Sequence, residues 1–516
     1  MPFPRACAEL LNSELTQDYD CFVLISNGQN SRFLPAVQKT LEAHSVIDAR
    51  VGNQSVLVHD GKAPGQRVFH VPVNELLRDF DDVRRIYDAA KLVASELLSA
   101  GILTPLVEVN LEGLSDEVRV RYKEALGVAY LGLCQGLWQP LEARQDLPDQ
   151  DLEPIKKIGL LGADEKYVAR LNAIEAGKRV ARDLCGTEPE RMAPPGFADY
   201  CARTFKDSTV QVNIIDDEQE ILARYPLLHA VARASIEVKR HQPRIIRLTY
   251  VPEGDIEKTL MFAGKGITFD TGGADLKVNG HMAGMSRDKG GAASVAGFMK
   301  AVSLIQPKGV KVVVEIGAVR NSIGAEAFIP DEIITSHAGV RVRVGNTDAE
   351  GRMLLGDLLS HLREEAVNEI NPELFSVATL TGHAAIAFGP YTALVENGPA
   401  RLQKVSQRWS VAGDAWGDPV EPSLSRREDF DFIKSRTKAD DILSSNNAPS
   451  VSTVRGHQFP MAFLSIASGL DKHAGDAAHP LPFTHVDIAG SGVENLDWQH
   501  GKPTASTVAC LVNAYL

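Results

Sequence analysis

Beyond residue 190 the chain is organised around short, largely apolar runs at 245–251, 259–263, 310–316 and 375–380, separated by helical or glycine-rich segments. A strand that is apolar on both faces must be covered on both, so these runs predict a largely buried, mixed sheet flanked by helices. Polar residues cluster after the runs, where open α/β sheets bind ligands. The first third reads differently, with β-rich stretches at 21–26, 55–59 and 67–73 alternating with helical patterns, as in an α/β unit. Val83, Ile86, Tyr87, Ala90, Ala94 and Leu97 recur at helical spacing, and Gly101 is placed to end that helix. A second helix is predicted from an N-cap at Asp164 through Leu171, Ile174, Ala181 and Leu184 to Gly186, followed by GTEPERMAPPG, which reads as a linker. At 516 residues the chain exceeds what one core organises. The expected fold is therefore α/β with two domains: a smaller N-terminal α/β domain at 1–163, a linker helix and loop at 164–190, and a larger C-terminal domain at 191–516.

Composition excludes several functions. Hydrophobic residues at 44% and charged residues at 23% are ordinary for a globular chain. A net charge of -13 disfavours nucleic-acid backbones and anionic lipid as bulk partners. The cysteines at 7, 21, 134, 185, 201 and 510 form no CxxC pair, which argues against a zinc knuckle or a disulfide framework and fits reduced thiols in the cytosol. The N-terminal MPFPRACAELLNSELTQDYD has neither the apolar core of a secretory signal nor the character of an organelle presequence, so a cytoplasmic location is expected. The uncharged run 374–394 contains Thr379, Thr381, Gly382, His383, Gly389 and Pro390, and is expected to be a buried strand and a loop rather than a membrane span.

Three segments carry candidate chemistry. GKGITFDTGGADLK, at 264–277, follows the apolar stretch TLMFA, which puts Lys265, Asp270 and Lys277 at or beyond a strand end. A glycine-rich loop with solvated charges explains this segment equally well by itself, and no phosphate-loop pattern is present. In MSRDKGGAA, Asp288 precedes a helix and, taken singly, fits a helix cap. In VRVRVGNTDAEGRMLLGD, Asp348, Glu350 and Arg352 are spaced two apart and would share one face of an extended chain. An Asx turn at 346–348 leading into a helix is the other reading. Crowded carboxylates repel unless cations or protons intervene, so this segment, placed just after an apolar strand, asks for a metal. Together Asp270, Asp288, Asp348 and Glu350 make an oxygen-rich set, without the histidines of a single-zinc HExxH site. Such sets hold paired metals in hydrolases.

With these residues in view, the sequence resembles the leucyl aminopeptidase family of di-metal peptidases. NTDAEGR at 346–352 is the most specific match, supported by GKGITFD, DTGG with LK after it, RDKGGAA, ATLTG at 378–382 and HVDIAG at 485–490. The resemblance covers 184–516 and makes 191–516 the catalytic domain. It implies that Lys265, Asp270, Asp288 and Glu350 hold the tighter of two divalent ions and Asp270, Asp348 and Glu350 the more exchangeable one. Zinc is expected, with manganese, cobalt or magnesium at the exchangeable position. Lys265 would ligate as a neutral amine, which dications nearby must enforce. Lys277 would stabilise the oxyanion formed by a metal-bridging water, and Arg352 would hold a bicarbonate that relays the proton. Met285, Thr379, Leu380 and Gly382 would border the substrate pocket, suited to leucine-like or methionine-like N-terminal residues of peptides.

Four positions depart from the family pattern: Thr271 where serine is usual, Asp275 in place of a small polar residue, Lys289 in place of a methionine-like one, and His383 in place of alanine. None removes a ligand, and Asp275 and His383 bear on pocket polarity. A catalytically silent structural or interaction protein on the same fold is the competing reading, and the intact ligand set argues against it. The resemblance also implies a homohexamer of two facing trimers, whereas the acidic balance gives no support to a nucleic-acid partner.

Overall fold

The structure, a computed structural model, describes residues 3–10, 17–448 and 452–516. It divides into two compact units, one of Met1–Ala176 with Ala412–Asp418 and the other of Gly177–Val411 with Pro419–Leu516.

The first unit carries strands β1 (Arg5–Glu9), β2 (Cys21–Ser26), β3 (Val56–His59), β4 (Arg67–Pro72), β5 (Pro105–Asn110) and β6 (Lys157–Leu161), in the order β1-β6-β5-β2-β4-β3. All neighbours are parallel except the edge strand β3. Phe22, Leu24, Val37, Leu41, Val68 and Leu106 fill its core, so the predicted stretches at 21–26 and 67–73 are strands covered by apolar side chains. The helix Arg84–Ser99 buries Ile86, Ala90, Val93, Ala94 and Leu97 along one stripe, and Gly101 turns the chain out of it at φ +65°. Asp164 caps the helix Glu165–Gly186 by accepting the amide of Tyr167 at 2.7 Å.

The second unit adds β7 (Gln211–Ile215), β8 (Arg244–Tyr250), β9 (Lys258–Asp270), β10 (Val310–Asn321), β11 (Ile333–Thr335), β12 (Arg341–Arg343), β13 (Pro372–Ala378), β14 (Thr392–Glu396), β15 (Val420–Leu424), β16 (Ile442–Leu443) and β17 (Phe483–Asp487). Eight of these form a mixed sheet in the order β15-β14-β17-β13-β9-β10-β8-β7, and β11, β12 and β16 form a small separate one. The long strand β9 lies between parallel partners β10 and β13 and is buried over almost its whole length. The helices Gly290–Ile305 and Glu350–Ala366 both pack on it. Successive residues of a strand face opposite ways. A Cβ on Gly264 would strike Val295 and Ala292 of the first helix, while the next residue, Lys265, lies against Gly351 of the second.

Three local readings differ from the sequence expectation. GKGITFD is strand rather than glycine loop, because the alternation of small and apolar residues lets β9 continue to Asp270 between two partners. The two prolines of the expected linker open the helix Pro194–Phe205, a position where the missing N–H costs nothing. Asp348, Glu350 and Arg352 are not on extended chain: 347–349 is a single helical turn and Glu350 begins the Glu350–Ala366 helix. Asn346 accepts the amide of Asp348 at 2.7 Å, so the Asx turn forms and still delivers the carboxylates to one place. The 374–394 run is β13, the short helix Gly382–Phe388 and the start of β14, and no helix among the described residues is long and apolar enough to cross a membrane.

Candidate metal centre

Lys265 and Asp270 come from β9, Asp288 from the turn before the Gly290–Ile305 helix, Asp348 from the 347–349 turn, and Glu350 from the first position of its helix. These five side chains converge. Lys265 Nζ lies 2.8 Å from Asp288 Oδ2 and 2.9 Å from Glu350 Oε1, and donates to the Thr379 carbonyl at 2.9 Å. Lys277 Nζ lies 2.9 Å from Asp270 Oδ2 and 2.5 Å from Asp348 Oδ1. Carboxylate oxygens of Asp270, Asp288 and Glu350 fall within 4.8 Å of one another, all three residues being buried. Asp288 is not a helix cap: its Oδ1 accepts from the Thr379 hydroxyl at 2.7 Å, and the helix it precedes has no side-chain cap.

The cluster is short of positive charge, since four carboxylates face two ammonium groups. Burial, and then the charges of Glu350 and Asp270, hold the Asp288 carboxyl well above the usual carboxylate range despite Lys265. Desolvation and the neighbouring charge of Asp270 push Asp348 up to about 7. Burial works against the charge of both lysines, but the surrounding carboxylates outweigh it and raise both. Glu350 Oε2 is buried without a hydrogen-bond partner. A concave, oxygen-rich set with excess negative charge and an unpartnered buried oxygen fits divalent cations.

Close approach is built into the backbone here. A Cβ on Gly351 would lie 2.6 Å from Lys265 Cε, so only glycine leaves room for the lysine stem. Gly272, at φ +86°, takes a conformation that side chains resist and brings the 271–277 loop against Asp348.

Arg352 is buried one turn into the Glu350–Ala366 helix. Its Nη1 donates to the Ser444 carbonyl at 3.0 Å and its guanidinium lies 4.7 Å from the centre of the Phe459 ring. Nε is buried without a hydrogen-bond partner, and burial pulls the group down to about 10.

Of the expected pocket residues, Thr379 and Leu380 sit on the cluster. Thr379 binds Asp288 and Lys265, and Leu380 Cδ1 would lie 2.8 Å from a Cβ on Gly351. Gly382 opens the next helix with an exposed backbone, and Met285 is half-buried in the turn that leads to Asp288. The four departures have local partners. Thr271 Oγ1 donates to the Asn321 carbonyl at 3.0 Å. Asp275 Oδ2 accepts the Thr347 amide at 2.7 Å. Lys289 is fully buried, with Nζ donating to the carbonyls of Thr187 and Ser286. His383 Nδ1 meets His457 Nδ1 at 2.8 Å.

Sequence reasoning missed the residues that hold the candidate ligands in place. Asn321, opposite Asp270 where the β9–β10 register shifts, donates Nδ2 to Asp270 Oδ1 at 2.8 Å and to the Thr347 carbonyl at 3.2 Å. Thr347 Oγ1 donates to the Gly272 carbonyl at 2.7 Å and accepts the Asp275 amide at 2.8 Å. Asp487 accepts the Leu380 amide at 3.1 Å and the Thr381 hydroxyl at 2.6 Å. The family-like HVDIAG at 485–490 was the one signal for Asp487; nothing local marks Asn321.

Residues 179–512 match the catalytic domain of the cytosol aminopeptidase family, and the chain belongs to that family. A Caenorhabditis elegans protein named as an aminopeptidase is 40% identical over 508 residues, covering 96% of this chain and 95% of the relative. Among solved structures, a mutant of tomato leucine aminopeptidase superposes with a TM-score of 0.77 at 22% identity, covering 99% of this chain and 96% of that one. A bottromycin maturation enzyme, BotP, in complex with manganese superposes at 0.73 and 20% identity, covering 96% and 98%. The two structures establish the likeness of fold, and the family is one of metal-dependent aminopeptidases.

Proposed function

We propose that this chain removes N-terminal residues from peptides at a two-metal centre held by Lys265, Asp270, Asp288, Asp348 and Glu350. The observation that carries the reading is the convergence of four carboxylates on two lysines, with Glu350 Oε2 left buried and unpartnered. Lys265, Asp270, Asp288 and Glu350 would hold the tighter ion, and Asp270, Asp348 and Glu350 the exchangeable one, with zinc favoured and manganese, cobalt or magnesium alternatives at the latter. Bound there, two dications supply a water of lowered pKa and polarise the scissile carbonyl.

The chain's own groups do the rest. Lys277, on a loop and 14% exposed at its side chain, presents a charged ammonium to the oxygen that becomes negative as the peptide carbon turns tetrahedral. Arg352, with its buried Nε–H unpartnered, would hold a bicarbonate, which would supply a proton relay between the attacking water and the leaving amine. Met285, Thr379, Leu380 and Gly382 border the pocket for an apolar first side chain, leucine-like or methionine-like. Asp275 and His383 bond to Thr347 and His457, which supports an apolar rather than a charged pocket. The family's cytosolic members and the resemblance of the whole catalytic region support a cytoplasmic homohexamer.

A panel of aminoacyl amides and dipeptides, assayed after chelation and after adding back zinc, manganese, cobalt or magnesium, tests this. Hydrolysis confined to substrates with a free N-terminus and restored by metal is expected. Activity persisting in fully metal-free protein refutes the mechanism.

A further inference from the structure

A second cluster lies on the far part of the helix that begins at Glu350. His361 and Glu364 stand three apart on that helix, one above the other, and His337 reaches them from the loop after β11. One donor atom from each of the three lies within 4.8 Å of the others. His361 is eleven positions from Glu350, which at 1.5 Å per residue is about 16 Å along the helix axis. The cluster is thus separate from the centre described above.

The hydrogen bonds of the two imidazoles decide which nitrogens are free. His361 Nε2 lies 2.9 Å from the Arg224 carbonyl, which can only accept, so Nε2 carries the proton and Nδ1 keeps its lone pair. His337 Nδ1 lies 2.9 Å from Ser360 Oγ, a hydroxyl that can accept, and with the imidazole as donor Nε2 keeps its lone pair. An imidazole tied to an oxygen through one nitrogen and bare at the other is the arrangement that orients a metal-ligating histidine. The rings stack at 3.8 Å with 27° between planes, and Tyr225 lies 4.4 Å from the other face of His361. Burial holds both histidines below their ordinary range, His361 at about 4, so both lone pairs are available at neutral pH. The positive charges nearby are already engaged: Arg224 pairs with Glu220 at 2.7 Å, and Arg363 Nε donates to the Ser468 carbonyl at 3.1 Å. The contact of Arg363 with Glu364 at 3.2 Å is an exposed ion pair of little strength, so the Glu364 carboxylate is open to exchange.

We infer that His337 Nε2, His361 Nδ1 and the Glu364 carboxylate form a second cation site, suited to zinc, that clips the 336–340 loop to the helix bearing Glu350. Two imidazoles and one carboxylate are a zinc donor set that leaves a fourth position to water. Donors around a tetrahedral zinc stand about 3.4 Å apart when each is 2.0–2.1 Å from the ion. The ion would take the place of the Glu364–Arg363 contact, with the Arg224 and Ser360 hydrogen bonds holding the two rings.

The test is the number of zinc ions retained per chain by the full-length protein at buffered free zinc, compared with His337→Gln/His361→Gln. The double variant is expected to hold one ion fewer and to lose part of the zinc-dependent rise in melting temperature, with peptide hydrolysis unchanged. Because the readout is a difference between proteins sharing the same Glu350 cluster, it stands whatever that cluster binds. Should the double variant fold poorly, Glu364→Gln, a surface substitution, is expected to weaken one class of zinc site at least tenfold. Equal zinc counts in wild type and the double variant, or unchanged zinc affinity in Glu364→Gln, overturn the inference.

Discussion

Lys265 and Lys277 each sit between two carboxylates, yet their surroundings differ. Lys265 is rooted in β9, its side chain 4% exposed, with its third direction taken by the Thr379 carbonyl and its stem fitted against Gly351. Lys277 stands on the 271–281 loop beside Asp348, whose side chain is 35% exposed, at the solvent edge of the cluster. Depth separates their roles. Under the proposed mechanism, a buried amine whose carboxylate partners are claimed by dications would have no cheap way to stay charged and would become a ligand. The lysine at the rim would keep its charge for a substrate oxygen. In the proposed mechanism the same residue type would serve binding on one side of the cluster and catalysis on the other.

That division can be broken by substitution. Lys277→Ala is expected to lower kcat by about 10²–10³, the loss seen when one oxyanion donor is removed, with the metal content unchanged. Metal analysis beside steady-state kinetics checks both halves; loss of an ion would move Lys277 into the ligand set. Lys265→Ala is expected to behave oppositely, weakening the tighter ion by at least the roughly 10–100-fold typical of losing a mere supporting contact. Chelator competition measures it, and unchanged affinity would deny Lys265 its part as ligand. Asn321→Ala is expected to fall at about 10–100-fold in metal affinity, because Asp270 then loses the donor that orients it. A changed visible spectrum of the cobalt-loaded protein distinguishes this from general destabilisation.

The metal-free protein carries a pH signature of the same crowding. Asp348 titrates near 7 in the folded chain and near 4 when unfolded, so between these values the native state keeps a proton that the unfolded chain has released. Stability should therefore fall as pH rises from about 4 to 7. Asp348→Asn should flatten that part of a melting-temperature profile, and bound cations should reverse its slope. The smallest effect is expected from Gly351→Ala, about 1–3 kcal/mol of stability in chemical denaturation, as the new methyl group pushes on the Lys265 stem.

The sequence made the candidate ligands readable because each lies beside a local signal: an apolar stretch before Lys265 and Asp270, glycines after Asp288, and the Asp-x-Glu-x-Arg spacing. The alternating strands of the first unit were equally legible, since period and turn residues are local properties. The supports were not. Asn321 acts through a register shift between two strands fifty residues apart, and Thr347 works by reaching a loop seventy-odd positions earlier. Such contacts depend on tertiary pairing and leave no trace in periodicity. The strand character of GKGITFD was hidden for a similar reason: glycine lowers strand propensity, and only burial between β10 and β13 compensates for it.

The most direct test is anomalous diffraction at the metal edge from crystals grown with manganese or zinc. Two peaks about 3.5–4 Å apart are expected inside the cluster, with Lys265 Nζ moved from its ion pairs onto one ion and Asp270 and Glu350 shared by both. A single peak, or none among these five side chains with Lys265 still bridging Asp288 and Glu350, would contradict the account.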